Sequence, residues 1–530
     1  MRFLKLTVAA ITVTATAAGL MPLAAAESAA PRTDRRVLME YAADTWASFE
    51  AMVEPSTGLV ADNIEGDLDP ATRSAYTSPT NIGGYLWSTV VARDLHIIGR
   101  REAYQRMSQT LDAIAQLDRH DDSGMFYNWY HPQTLEVLRV WPEDGNTVYP
   151  FLSSVDNGWL AAALLVVASA EPRLRQEADA LFESMDFGFY YDPAAKPDYH
   201  GGPDVGLIRG GFWDEPPPGC SIVGNYRDRG PDVYYTCHHY GAFNSEPRIA
   251  SYIGIATGQI PPEHYFGPWR TFPADTCDWS WTEQGGIGEW REYLGVQVWE
   301  GAYEYRGRYL VPTWGGSMFE ALMPDLFVPE ATWGADSWGI NHPLFVQGQI
   351  EHGMEEAGYG YWGFSPSSNP AGGYREYGVD LIGMDPGSAT GGGYASDQER
   401  TTVDLGFFAV DGTQCRAPQP PPDEYGDGVV TPHAVFLALP YARDEALENL
   451  ANLRADFNVY GAGGFFDAVA VRSGTVAERY LSLDQAMIMA AIGNEIRHDL
   501  VKRYFVDHEF RKALRPLMAM ESFLSRPAGD

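Results

Sequence analysis

Apolar residues recur at helical spacing in twelve segments of this chain, and strand-like alternation is scarce. The segments are 35–53, 81–98, 102–117, 156–170, 173–186, 246–257, 317–328, 342–357, 432–439, 444–455, 483–496 and 508–517. Helices in this number and order predict one large all-α toroid, not a string of small domains. Long connections rich in Trp, Tyr, Gly and Asp follow many of them, at 121–150, 188–240, 268–312, 359–431 and 457–482. Loops of that length usually carry function, and gathered on one rim they would build a cleft. No short-period repeat is evident, and the Pro-rich run 417–428 reads as an insertion within one domain.

Residues 1–26 read as a secretory signal: a basic start, MRFLK, an apolar run from Leu6 to Leu23, and Ala24, Ala25 and Ala26 before Glu27. The expected mature chain, 27–530, is therefore exported, and it has no later apolar run long enough to cross a membrane. A net charge of −34 repels nucleic acid and anionic membranes and suits a neutral partner. Cys220, Cys237, Cys277 and Cys415 make an even count in an exported chain, which favours disulfides. Cys220 with Cys237 is the natural local pair, leaving Cys277 with Cys415; the other two connectivities stay open. No C-x-x-C or zinc-binding pattern is present, so neither a metal site nor a cofactor is expected.

The segment TWGGSMFEALMPDL, 313–326, places Glu320 in the first turn of an apolar helix behind a glycine turn. A carboxyl among Met318, Phe319, Leu322 and Met323 is poorly solvated, which raises its pKa and suits it to general-acid work. Asp467, in YGAGGFFDAVAV, is the candidate second carboxylate, as base or as a partner of the base. Asp156, in SSVDNGWL, heads a helix and is a cap, a substrate ligand or both. Asp484, in LSLDQAM, is a single acid in a buried helix and needs an Arg, a hydroxyl or a polar ligand beside it. Glu246 and Arg248, in NSEPRIAS, form either a salt bridge or part of a site wall. Ligand sites pair aromatic platforms with a few polar groups, and the loop aromatics Trp129, Tyr130, Trp314, Trp362, Tyr374, Tyr377 and Tyr460 are the candidate platforms.

Several of these segments, TSPTNIGGYLWS (77–88), SSVDNGWLAAALL (153–165), 240–264 and 313–326, resemble in order the glycoamylase-like domain of secreted endo-β-1,2-glucanases and cyclic β-1,2-glucan synthases. The resemblance continues through 349–380, GGFFDAVAV and YLSLDQAMIMA, and so covers about 77–496. It implies an (α/α)6 barrel, a glycoside hydrolase acting on a β-glucan, Glu320 as proton donor, and an oligo- or polysaccharide partner. Asp467 matches the Asp of the glucanases' G-F-Y-D-A segment. One departure is informative: where the cyclising synthases carry a Glu in G-I-S-E-S, this chain reads GFSPS, with Pro366 and Ser367. That loss favours an inverting hydrolase over a transglycosidase; an exo-acting enzyme on another linkage and a non-catalytic carbohydrate-binding barrel are the alternatives.

Overall fold

The computed structural model describes residues 30–196, 204–273, 284, 286–384 and 425–529. The expected signal segment, Cys277 and Cys415 lie outside them.

All twelve periodic segments contain helix, with ends shifted by a few residues. Among the described residues, six helices are buried along nearly their whole length: Pro79–Asp94, Ser154–Ala170, Arg248–Ala256, Met318–Leu322, Pro432–Leu437 and Ser482–Arg497. Others bury one face only, such as Arg100–Ile114, Arg175–Glu183 and His508–Met520. Period reflects burial: a helix surrounded by others has no polar face to show, whereas an outer helix needs one.

The Pro79–Asp94 helix packs between Ser154–Ala170 and Ser482–Arg497. Gly84 permits the second contact, because a Cβ there would lie 2.8 Å from the Ala486 Cβ. Trp87 is fully buried in the same seam and donates its indole N–H to the Ala486 carbonyl at 3.0 Å. Its burial stabilises by about 2–3 kcal/mol, and the hydrogen bond removes the desolvation penalty of the indole N–H.

The described residues hold more strand than the sequence pattern suggests, and there it lies in the connections between helices. Strands Phe151–Ser153, Gly211–Trp213, Val233–Thr236 and Ser221–Gly224 form an antiparallel sheet in that spatial order. A disulfide, Cys220–Cys237, closes its last hairpin as the spacing predicts. A second sheet, of Ile287–Tyr293, Val296–Tyr305 and Arg308–Leu310, occupies the connection before Glu320. The strands of the first sheet are three or four residues long, too short to show alternation, and Val296–Tyr305 alternates only over its first four residues before a run of buried ones.

Candidate active site

The N-terminal ends of five of the six buried helices open onto one cavity of about 980 Å³. Its lining includes Asn81, Asp156, Glu320 and Asp484 from the first turns of four of them, and Glu246 from just before a fifth.

A shared local device sets three of these side chains. Ser78, Ser153 and Ser317 are N-caps whose hydroxyls accept the backbone N–H of the third helical residue, respectively Asn81, Asp156 and Glu320. The third residue of a first turn commonly folds back over the cap, but here it faces the cavity. Asp156 is thus not itself the cap. Ser153 also ends the strand paired to Gly211, so the four-stranded sheet fixes where the Asp156 helix begins. Ser317 follows Gly315 and Gly316, at φ 59° and 65°. At Gly316 a Cβ would meet the Val379 carbonyl at 1.9 Å, so only glycine permits the turn that delivers Glu320.

Glu320 is 9% exposed, and its Oε2 accepts the Glu246 backbone N–H at 2.5 Å. Burial pushes its carboxyl up to about 7, with the Glu246 N–H and the Arg248 charge opposing part of the rise. Burial and the neighbouring Glu320 hold Glu246 well above the usual carboxyl range, while Trp159 donates its indole N–H to Glu246 Oε1 at 2.5 Å. Arg248 does not pair with Glu246. It turns away to Glu330, at 2.7 and 3.0 Å, and donates to the carbonyls of Glu320 at 2.7 Å and Ala321 at 2.5 Å. It thus holds the acid's helix from behind and does not line the cavity.

Asp467 is buried behind the cavity rather than in its lining. Its Oδ2 accepts the Ser368 N–H at 2.6 Å. Side-chain atoms of Asp467, Asp484 and His433 lie within 4.8 Å of one another, and only Asp484 of the three reaches the cavity. Burial holds His433 near 4 and hence neutral; burial and the Asp484 charge raise Asp467 far above its usual value, and burial raises Asp484 to about 7. Two adjacent carboxyls beside a neutral ring share protons more readily than charge.

Trp129, Trp314 and Tyr374 line the cavity, and Tyr374 is half exposed. The amide of Asn128, oriented to satisfy both neighbours, links Trp129 Nε1 to Asp156 Oδ2. Four other candidates lie elsewhere. Tyr130 is fully buried and donates to the Asp118 carbonyl at 2.5 Å; Trp362 is core, its carbonyl held by Asn449; Tyr377 packs with Val429, Ala468 and Ala470; Tyr460 donates to Asp44. A ring has the same reason to be buried in a core as in a cleft.

Three further carboxyls in the lining were not anticipated: Asp62, Glu143 and Glu376. Asp62 takes hydrogen bonds from Asn63 and Asn81, and burial raises its pKa. Glu376 follows the strand Tyr374–Arg375, and burial together with the Glu320 charge pushes it up to about 8. Nothing in YREYG signals this; only the strand register of Ser367 with Arg375 turns Glu376 toward the site.

Comparison with known proteins agrees with this architecture. Residues 288–509 match the family described as "Glycoamylase: Putative glucoamylase", and residues 40–188 match one described as "Protein of unknown function (DUF3131)". The resemblance to the glycoamylase-like family holds. The cyclic β-(1,2)-glucan synthase NdvB of Rhizobium meliloti (strain 1021) is 24% identical over 595 residues, covering 88% of this chain. This chain spans only 18% of that protein's length. The endo-β-1,2-glucanase from Chitinophaga pinensis, solved with sophorotriose and glucose, superimposes with a TM-score of 0.60 at 16% identity, over 91% of this chain and 98% of its own. The β-1,2-glucanase from Parabacteroides distasonis gives 0.61 at 16% identity, over 92% and 60% respectively. At these identities the likeness establishes a shared helix-rich fold.

Proposed function

We propose that this chain is a secreted, single-domain (α/α)6-barrel glycoside hydrolase that cleaves a β-glucan, β-1,2-linked, with inversion. The observation that carries the reading is Glu320, a buried carboxyl raised to about 7 in a large cavity with aromatic walls. A group with that pKa still holds a proton near neutrality and can give it to a leaving glycosidic oxygen. The six buried helices with outer partners support the barrel, and the similarity to proteins described as β-1,2-glucanases and a β-1,2-glucan synthase supports the linkage.

In this mechanism Glu320 protonates the leaving oxygen while water attacks the opposite face of the sugar. Asp484, at the cavity surface, takes the water's proton, and Asp467 behind it is the partner that sets its charge. Hydrolysis of a glycan panel tests the function: reducing sugar appears from β-1,2-glucan and not with Glu320→Gln. A folded wild-type protein that binds glucan and releases nothing is a binding barrel instead.

One observation favours a second reading. One residue beyond the Ser367–Arg375 pair stand Pro366 on one strand and Glu376 on the other, and both line the cavity. A carboxyl absent at Pro366 is thus supplied across the hairpin by Glu376, within the electrostatic reach of Glu320. As a nucleophile it would make the enzyme retaining, with a first-formed β-anomer.

A further inference from the structure

Among the described residues the backbone makes one hairpin shape four times, three of them with Pro two residues after the start, at Pro55, Pro132 and Pro142. Val53 bridges Val60, Arg119 bridges Phe126, Tyr130 bridges Val137, and Val140 bridges Thr147, each spanning seven residues. The residue five after each start is left-handed: Gly58, Gly124, Leu135 and Gly145, at φ 75°, 69°, 65° and 76°. The last three hairpins run in tandem. In the first two, Phe126 and Tyr130 are buried and tie the hairpins to the core. The third stands out from the body, with Val140 57% exposed and Pro142 to Thr147 all exposed.

An exposed hairpin that contributes no buried ring to the core would be free to carry only polar residues. This one turns Trp141 back into the cavity. Its ring lies 4.5 Å from Tyr76 and 5.3 Å from Trp129, centre to centre. Glu143, at the hairpin tip, accepts the Tyr76 hydroxyl at 3.3 Å and the Trp141 indole N–H at 3.4 Å. Both bonds are long, so a hydroxyl-bearing ligand replaces them at little cost. All four side chains line the cavity. They share the cavity with Glu320, Glu246 and Glu376, and its volume is at the upper end of what holds a drug-sized ligand, enough for more than one sugar ring.

We infer that the third hairpin is a sugar-binding ledge: Trp141, with Trp129 and Tyr76, stacks on the apolar face of a neutral glycosyl residue, and Glu143 accepts its hydroxyls. The inference rests on the proposed β-glucan reading and adds a subsite to it, away from the bond that is cut. Affinity then depends on chain length, because only a longer oligosaccharide reaches the ledge.

The test is calorimetric titration of linear β-1,2-gluco-oligosaccharides of increasing length into Glu320→Gln, alone and combined with Trp141→Ala or Glu143→Gln. The expected result is a loss of about tenfold in affinity with Trp141→Ala, about what a stacked aromatic contact supplies, for long oligosaccharides and none for the shortest. Glu143→Gln, which removes no packing, weakens the same long oligosaccharides and provides the test should Trp141→Ala unfold. Unchanged affinity at every length, or an equal loss at every length, overturns the ledge while leaving the hydrolase reading intact. Failure of Glu320→Gln to bind any oligosaccharide, with wild type releasing no sugar, overturns both.

Discussion

Glu320→Gln separates the chemistry of the acid from its effect on the fold. The carboxyl rises from 4.5 to about 7 on burial, so ionising it in the folded state is unfavourable. The stability this group contributes is present in full below its unfolded pKa of about 4.5 and is lost as pH rises through about 7. A rise of that size corresponds to about 3 kcal/mol, since each pKa unit is about 1.4 kcal/mol. Gln keeps the shape and can still accept the Glu246 N–H but carries no charge. The variant is therefore expected to be more stable than wild type by about 3 kcal/mol at pH 8, or about 3 °C in Tm for a chain of this size, and no more stable at pH 4. Turnover falls at the same time by about a hundredfold or more. Urea unfolding at the two pH values reads the first effect and glucan hydrolysis the second. Equal stability gains at pH 4 and pH 8, or a loss at pH 8, would refute the electrostatic account of Glu320.

The same carboxyl must be protonated to act, so the rate is expected to fall about tenfold per pH unit above about 7; a rate still flat at pH 9 excludes it as the acid. Arg248→Met leaves Glu330 charged and buried without its partner, and should cost about 3–5 kcal/mol in urea unfolding. A loss under 1 kcal/mol would mean that His342 and Tyr252 satisfy Glu330 without it. Replacing both Cys220 and Cys237 by Ser opens a link across 17 residues and should cost about 3 kcal/mol; an unchanged unfolding midpoint would show that the hairpin is not part of the cooperative unit.

Helix positions were legible because a buried or amphipathic helix must repeat its apolar residues along its length, and Glu320 was legible because it interrupts such a run. Asp156 and Asp484 carried the same signal, one acid at the head of an apolar helix, and both reach the cavity. Partners distant in sequence were not legible. Arg248 lies two residues from Glu246 yet pairs with Glu330, 82 residues away, because the helix turns its side chain to the opposite side. Glu376, Asp62 and Glu143 sit in polar loops where one more acid changes no pattern, and only pairing between strands or hairpins turns them inward. The aromatics divided for a related reason: Trp129 and Trp314 face the cavity while Tyr130 and Trp362 face the core, and ring identity is the same in both settings.

The configuration of the first sugar released tests the central claim most directly. Proton NMR during hydrolysis of linear β-1,2-glucan by wild type is expected to show the α-anomer at the new reducing end before mutarotation, and Glu320→Gln to release it at least about a hundredfold more slowly. A β-anomer formed first would transfer the second role to Glu376 and contradict inversion. Undiminished release by Glu320→Gln would contradict the assignment of the acid itself.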